Sequence, residues 1–553
     1  MNRLRPVKRV EPAALAVSAD EVRPATREET LPIALIAVIL AFVALLLCYT
    51  RGYLLLYGDA VAHLGIARRI LDSRNPGLAQ LGGVWLPLPH LLILPFVQKM
   101  EWWQNGLAGA WPSLLCYVVS VVGLYRLSRR MMTPRWAFAA TAFYALNPNL
   151  LYLSTTAMTE PLFLAELIWL TLLTMECAAS IRAAQHDIVA RRLILIALLI
   201  VAAVFTRYDG WVLGAAVWCI VTWCLARHRD VWRKVAPSFI AFTLLAVAAP
   251  LSWLAYNQHF FHDPLDFLRG PYSAAAIEKK TSPPGSHHYR GWHNPGWALL
   301  FFTRTAQVDA AVWETGFAVM IAAIAGLILA IRRRLALPSL LLWLPLPFYV
   351  YAIAYGSVPI FIPQLWPHAY YNARYGMELL PALAVFLFLA VEWVQRRWSR
   401  SQPLKARLLH PLALSLIVLN TVGMMYFVPL VLKEGMVNST TRMALEKTIA
   451  RELQSFPPGV PIMMSTSDHI GALQDAGIPL KQTLNEGDYA SWKAALEAPA
   501  DHAAYVIAIK GDPVSKAVDA NPKGLTELSV LCTTGQPCAR IYRSDLYLSP
   551  KVP

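Results

Sequence analysis

Residues 31–49 read LPIALIAVILAFVALLLCY, with no charged side chain from Leu31 to Tyr49. As a helix rising about 1.5 Å per residue, this run reaches about 30 Å, the thickness of a bilayer's hydrocarbon core. No small-residue cleavage site follows it, so it reads as a retained span rather than a signal peptide. Before it, Arg3, Arg5, Lys8, Arg9, Arg23 and Arg27 are scattered among prolines and acidic residues. That is the pattern of a disordered tail, residues 1–30, held on the cytoplasmic side.

The rest of the chain repeats the pattern. The 553 residues are 57% hydrophobic and 15% charged, too little charge to cover a soluble surface. Nineteen Trp and 22 Tyr suit the aromatic belts of a membrane interface. The expected fold class is an α-helical polytopic membrane protein, with spans near 31–50, 108–126, 136–153, 159–178, 193–206, 209–226, 236–256, 312–331, 338–356, 375–393 and 411–430. Alternating sides leaves five loops in the cytoplasm with the N-terminus, and all are basic: Arg126 to Arg135; Arg191 and Arg192; Arg227 to Lys234; Arg332 to Arg334; and Arg396 to Arg407. The net charge of +15 is therefore a positive-inside signature. Nucleic acid is not an expected partner, since no basic arm, zinc-ligand cluster or RNA-binding aromatic pattern accompanies it.

Two loops on the other side, 51–107 and 257–311, are long enough to be functional. The first opens with an amphipathic stretch, Asp59 to Leu71, expected to lie along the interface. Transmembrane character ends near residue 431. Residues 432–553 read as a small extracytoplasmic α/β domain, with a helix over 439–454 and strands over 460–464, 504–509, 528–531 and 539–542. Cys532 and Cys538 sit in a turn-rich Cys-Thr-Thr-Gly-Gln-Pro-Cys. With no nearby His to complete a zinc site, they are expected to pair as a disulfide if this tail lies outside the cytoplasm.

Ionisable residues near span ends are costly unless solvated or paired, which makes them functional candidates. Asp59, in Tyr57-Gly58-Asp59-Ala60-Val61-Ala62-His63, can act as a general base with His63 one turn on, or cap the helix that follows. Glu160, in Thr159-Glu160-Pro161, suits catalysis or a helix N-terminus. Arg207, in Arg207-Tyr208-Asp209-Gly210, either pairs with Asp209 or binds phosphate. Arg374 and Tyr375 follow His368, Tyr370 and Tyr371 at the mouth of a span, as a site or as an aromatic belt. The topology gathers all four groups at one face. A phosphate leaving group needs cations, and a sugar needs carboxylates and aromatic platforms.

Together, Gly-Asp-Ala with a following His, then Trp85-Leu86-Pro87-Leu88-Pro89-His90, then Thr-Glu-Pro, then Arg374-Tyr375 with Pro381 resemble the GT-C superfamily. The chain is similar to bacterial relatives of the dolichyl-phosphate-mannose protein mannosyltransferases and of the lipid A aminoarabinose transferase. The resemblance implies an inverting hexosyl- or pentosyltransferase of the bacterial inner membrane. It would take sugar from a polyprenyl-phosphate donor to a lipid, glycan or protein acceptor, with Asp59 as base. Many relatives carry an acidic-Lys-Pro-Pro stretch where this chain has Val84-Trp85-Leu86-Pro87, so Arg207, Arg374, His90 or the Lys279/Lys280 pair has to serve the phosphate. An Asp-Glu pair common in relatives is Asp59-Ala60 here. The sequence specifies no cofactor. His259, His262, His287, His288 and His293 keep a divalent metal open, without convincing ligand spacing. The competing readings are a transporter or flippase of a lipid-linked sugar and a membrane scaffold. Against a transporter, no internal repeat is visible and the polar residues collect at one face rather than at mid-membrane.

Overall fold

The computed structural model describes residues 23–282, 287–333 and 337–547, so most of the expected N-terminal tail and Arg334 lie outside the described residues. The first element is α1 (Arg27–Thr50), begun by a capping box in which Thr26 and Glu29 satisfy each other's backbone N–H. One stripe of α1 (Ala37, Ala41, Leu45) is buried, while Leu35, Ile39, Phe42 and Leu46 on the opposite side are exposed. An exposed stripe made only of large apolar side chains is a lipid-facing surface.

The bundle continues with α2 (Gly58–Arg69), α3 (Leu88–Val97), α4 (Leu107–Arg129), α5 (Pro134–Ala145), α6 (Pro148–Leu153), α7 (Glu160–Arg182), α8 (His186–Thr206), α9 (Tyr208–Ala226) and α10 (Arg229–Phe261). After it come α11 (Ala274–Thr281), α12 (Pro295–Ala310), α13 (Thr315–Arg332), α14 (Pro345–Tyr355), α15 (Leu380–Ser401), α16 (Pro403–Tyr426) and α17 (Leu430–Leu453). Ten segments among the described residues are long and apolar enough to cross a membrane. The expected span 136–153 is the exception: Pro148 interrupts it, giving α5 and α6 in place of one helix. The pair still runs from end to end of the bundle. Trp136 Nε1 donates to Gln395 Oε1 at 2.7 Å at one end, and Asn147 Nδ2 donates to Asp309 O at 2.8 Å at the other. Small residues allow close helix packing. A Cβ added to Gly326 of α13 would fall 1.8 Å from the Phe386 carbonyl of α15.

Four further expectations change. The apolar side of helix α2 is covered by protein. Its residues Ala60, Val61 and His63 to Ala67 are buried, and Gly65 packs directly on Ile470 of the C-terminal part. The second long loop has secondary structure of its own, α11 and α12. The helix expected over 439–454 begins at Leu430, so it runs up from the bundle. The C-terminal sheet also has a strand the sequence did not reveal, β2, too short to show a pattern. In the order β2-β1-β3-β5-β4, the sheet comprises β1 (Ile462–Met464), β2 (Thr483–Leu484), β3 (Tyr505–Ile509), β4 (Leu525–Leu531) and β5 (Ala539–Ser544). Strand β1 is parallel to its neighbours β2 and β3, whereas β5 is antiparallel to β3 and β4. Cys532 and Cys538 form a disulfide in the turn between β4 and β5.

The sheet unit sits over the loop between α1 and α4. Gln80 Nε2 donates to Gly487 O at 3.0 Å, Asn75 Nδ2 to Asp488 Oδ1 at 3.2 Å, and Gln474 to the Trp103 carbonyl. The C-terminal unit and Asp59 therefore share one end of the bundle, and the arginine-rich turns share the other.

Candidate active site

Asp59 is the second residue of α2. The N-cap is Tyr57, without a side-chain cap bond, so capping does not account for Asp59. A carboxylate in a first helical turn is still favoured by the helix dipole. Its partner comes from far along the chain: Arg374 Nη2 lies 2.6 Å from Asp59 Oδ2. Arg374 stands on a 3₁₀ turn, Ala373–Leu379, entered through Asn372 in the left-handed region.

From Arg374 the network spreads. Its Nε donates to Glu160 Oε1 at 3.0 Å, and its Nη1 lies 3.8 Å from Glu434 Oε1. Glu160 begins α7, with Thr159 before it and Pro161 after it. Thr159 makes no cap bond and accepts instead from Arg207 Nη1 at 2.9 Å. The same Glu160 oxygen lies 3.5 Å from Arg207 Nη1 and so joins the two guanidinium groups.

Arg207 occupies the tight turn between α8 and α9. A Cβ at Gly210 would fall 2.1 Å from the Ala203 carbonyl, so only glycine closes this turn. Its Nε meets Asp209 Oδ2 at 3.1 Å, and its Nη2 meets Glu378 Oε1 at 3.0 Å and the Tyr349 hydroxyl at 2.6 Å. Tyr349 donates in turn to Glu378 at 2.6 Å. The Tyr375 ring lies between the two arginines, 5.1 Å from Arg207 Cζ and 4.8 Å from Arg374 Cζ. Such faces attract cations. On the far side, Glu434 accepts from the Tyr57 hydroxyl at 3.1 Å and the Ala373 N–H at 2.9 Å.

Exposure separates these carboxylates. Glu160 and Glu378 are 0% exposed and Glu434 is 1%, while the Asp59 side chain is 42% exposed. Of the acids bonded to Arg374, Asp59 alone is open to an incoming molecule.

One turn along α2, His63 Nδ1 and His90 Nε2 share a hydrogen bond of 2.9 Å. Trp85 lies across His63 with ring centroids 4.4 Å apart. Burial pushes the His63 imidazole down to about 4, against the pull of nearby Asp59, and burial also holds His90 well below its ordinary value. Both rings are neutral at pH 7. His90 thus carries no charge for a phosphate, because its ring is sealed against His63.

The structure brings Asp59, Glu160, Arg207, Arg374 and Tyr375 into one connected cluster with His63 beside it. It does not bring in Lys279 and Lys280, which end α11 with exposed side chains and pair with no acid of the cluster. Among the described residues, no group of three or more His, Cys, Asp or Glu side chains is placed to hold a metal ion. His288 of the second loop is engaged with Glu278 at 2.6 Å. Sequence reasoning missed Glu378, Glu434 and Tyr349. Glu378 had a legible signal, an acid inside the apolar run Met377-Glu378-Leu379-Leu380, where only a partner makes it tolerable.

Residues 99–253 match the dolichyl-phosphate-mannose-protein mannosyltransferase family. That segment carries Glu160, Arg207 and Asp209. Among solved structures, the chain is similar to ArnT from Cupriavidus metallidurans bound to undecaprenyl phosphate, at 14% identity and a TM-score of 0.58, covering 95% of this chain and 100% of that one. It is also similar to ArnT from Cupriavidus metallidurans in the apo state, at 14% identity and a TM-score of 0.50, covering 92% and 99%. No curated protein sequence matches the chain.

Proposed function

We propose that this chain, whose fold is that of the GT-C membrane glycosyltransferases, moves a sugar from a polyprenyl-phosphate carrier to an acceptor at the membrane surface. The observation that carries the reading is the Arg374–Asp59 pair, in which a buried cation positions the one exposed carboxylate of an otherwise sealed charge network. Asp59 accepts the proton of the acceptor's nucleophilic group as that group attacks the anomeric carbon. The bond from the anomeric carbon to the carrier phosphate breaks on the opposite face, so the configuration inverts. Glu160 and Glu434 hold Arg374 without reaching substrate, because they are buried beneath it.

Arg374 is also the better candidate for the carrier phosphate. Its Nη1 has only the 3.8 Å contact with Glu434, and so keeps donors for an anion. Arg207 is different. Its Nε, Nη1 and Nη2 all contact protein acceptors within 3.1 Å. It acts by positioning Glu160 and Glu378.

Under this reading the Asp59 end and the sheet unit face away from the cytoplasm, and the basic turns face inward, as a bacterial plasma-membrane enzyme using a polyprenyl-linked donor requires. The support is the fold shared with ArnT bound to undecaprenyl phosphate and the match of residues 99–253 to a family named for a lipid-phosphate sugar donor. The test incubates purified protein in lipid with a panel of radiolabelled polyprenyl-phosphate sugars and acceptor-rich membrane extract. Release of free polyprenyl phosphate together with label in a new product is expected for at least one donor. Transbilayer movement of the intact donor without bond cleavage would instead establish a flippase.

A further inference from the structure

At the end of the bundle opposite Asp59, a cleft of about 350 Å³ opens between the start of α5, the end of α15 and the start of α16. Arg135, Arg407 and His410 line it with Gln395 and Ser399, and no carboxylate does. Its walls are fixed. Gln395 accepts from Trp136 Nε1 at 2.7 Å and donates to the Ala406 carbonyl at 2.8 Å. His410 Nε2 donates to the Arg135 carbonyl at 3.2 Å, with its ring edge-on to Trp136 at 5.2 Å.

Four other arginines at this end have carboxylate partners. Arg129 pairs with Glu29, Arg130 and Arg192 with Glu176, and Arg396 with Glu392. Arg135 and Arg407 have exposed side chains and no ion pair among the described residues, and unlike the equally unpaired Arg397 they line the cleft. Two such guanidinium groups around a polar cleft have the chemistry of an anion site. The cleft stands at the joined ends of two membrane-crossing segments, Ala373–Ser399 and Pro403–Leu453, where lipid headgroups come within reach.

We propose that this cleft binds the phosphodiester headgroup of an anionic phospholipid, its phosphate held by Arg135 and Arg407. Basic pockets between transmembrane helices at the inner leaflet have this chemistry. Binding here would tie α5, α15 and α16 together at the end remote from the transfer site.

The test uses full-length protein in phosphatidylcholine nanodiscs, with and without phosphatidylglycerol, and measures co-retained phosphatidylglycerol by native mass spectrometry. The double variant Arg135→Ala/Arg407→Ala should retain phosphatidylglycerol about 30-fold more weakly. The control Arg397→Ala/Lys405→Ala removes the same charge from exposed residues that do not line the cleft, and should retain it as the wild type does. Unfolding midpoints in pure phosphatidylcholine should match among the three proteins, because none of the four side chains has an ion pair to lose. Equal loss in the control would overturn the proposal in favour of diffuse attraction to a basic surface. Displacement of the lipid by millimolar inorganic phosphate would overturn it in favour of a free-anion site.

Discussion

Arg374 Nη2 lies 2.6 Å from Asp59 Oδ2, joining the start of the first long loop to the mouth of a span 315 positions later. The two ends of this pair differ in environment, with Arg374 7% exposed and Asp59 42%. A buried cation with Glu160 and Glu434 at its back has little freedom to move. It therefore fixes where the Asp59 carboxylate stands without closing that carboxylate to an incoming molecule.

Asp59→Asn tests that role. The amide can still accept from Arg374 but cannot take a proton, so turnover should fall about 10²–10⁴-fold. Stability should change by about 1 kcal/mol or less, since the lost charge is at the exposed side of the pair. Asp59→Glu should also be impaired, because the longer arm displaces the carboxylate. Wild-type-like transfer by folded Asp59→Asn protein would end the claim.

Replacing Arg207 should have a different signature. Arg207→Ala leaves Glu378 and Asp209 buried without their cation, a loss of about 3–5 kcal/mol. The expected readout is a lowered unfolding temperature and poor yield, ahead of any change in donor KM. Arg207→Lys should recover part of the stability, since one ammonium cannot reproduce three directed contacts. A stable Arg207→Ala protein with only a raised donor KM would instead make Arg207 a phosphate ligand.

Much of this cluster was legible because charges near span ends are costly and so draw notice. Asp59, Glu160, Arg207 and Arg374 each lie in a short polar break between apolar runs. Which of them touch was not legible, because the contacts join separate loops, those of Arg374 across more than 200 residues. Glu434 was hidden by the assumption that residues after 432 form a separate soluble unit, when α17 starts at Leu430 and carries Glu434 into the network. The break at Pro148 was visible as a proline but outweighed by the apolar run around it. The burial of α2 could not be read at all. An amphipathic stretch has the same pattern whether a membrane or a folded unit covers its apolar side, and here Ile470 covers it.

The Cys532–Cys538 disulfide lies in the same sheet unit that packs over the Asp59 end. If that end faces an oxidising compartment, both thiols should resist a membrane-impermeant maleimide in whole cells until a reductant is added. The Cys532→Ser/Cys538→Ser variant should destabilise the sheet unit by about 2 kcal/mol, the chain-entropy value for so short a loop. Labelling without reductant would contradict both the disulfide and the outward placement of the sheet.

The last prediction concerns acid. His63 and His90 share a hydrogen bond in a buried pocket beside Trp85, and burial is the main cause that pushes His63 down to about 4. An unfolded chain would protonate the same imidazole near about 6.5. Because the folded value is depressed, the folded state favours the neutral ring. The resulting stability is fully present above about pH 6.5 and is lost as pH falls through about 4. For His63 alone this is worth about 3 kcal/mol between those limits. The unfolding midpoint of purified protein should therefore drop steeply from about pH 6.5 to about pH 4.5. His63→Phe keeps an aromatic surface for Trp85 but removes the titrating group, so its midpoint should begin lower at neutral pH and decline less on acidification. Asp59 acts in the opposite direction, since its charge favours a protonated His63. Asp59→Asn should accordingly steepen the wild-type slope, although it leaves the midpoint at neutral pH nearly unchanged. Parallel curves for wild type and His63→Phe would show that the acid sensitivity arises elsewhere, and that the histidine pair is not held neutral by burial.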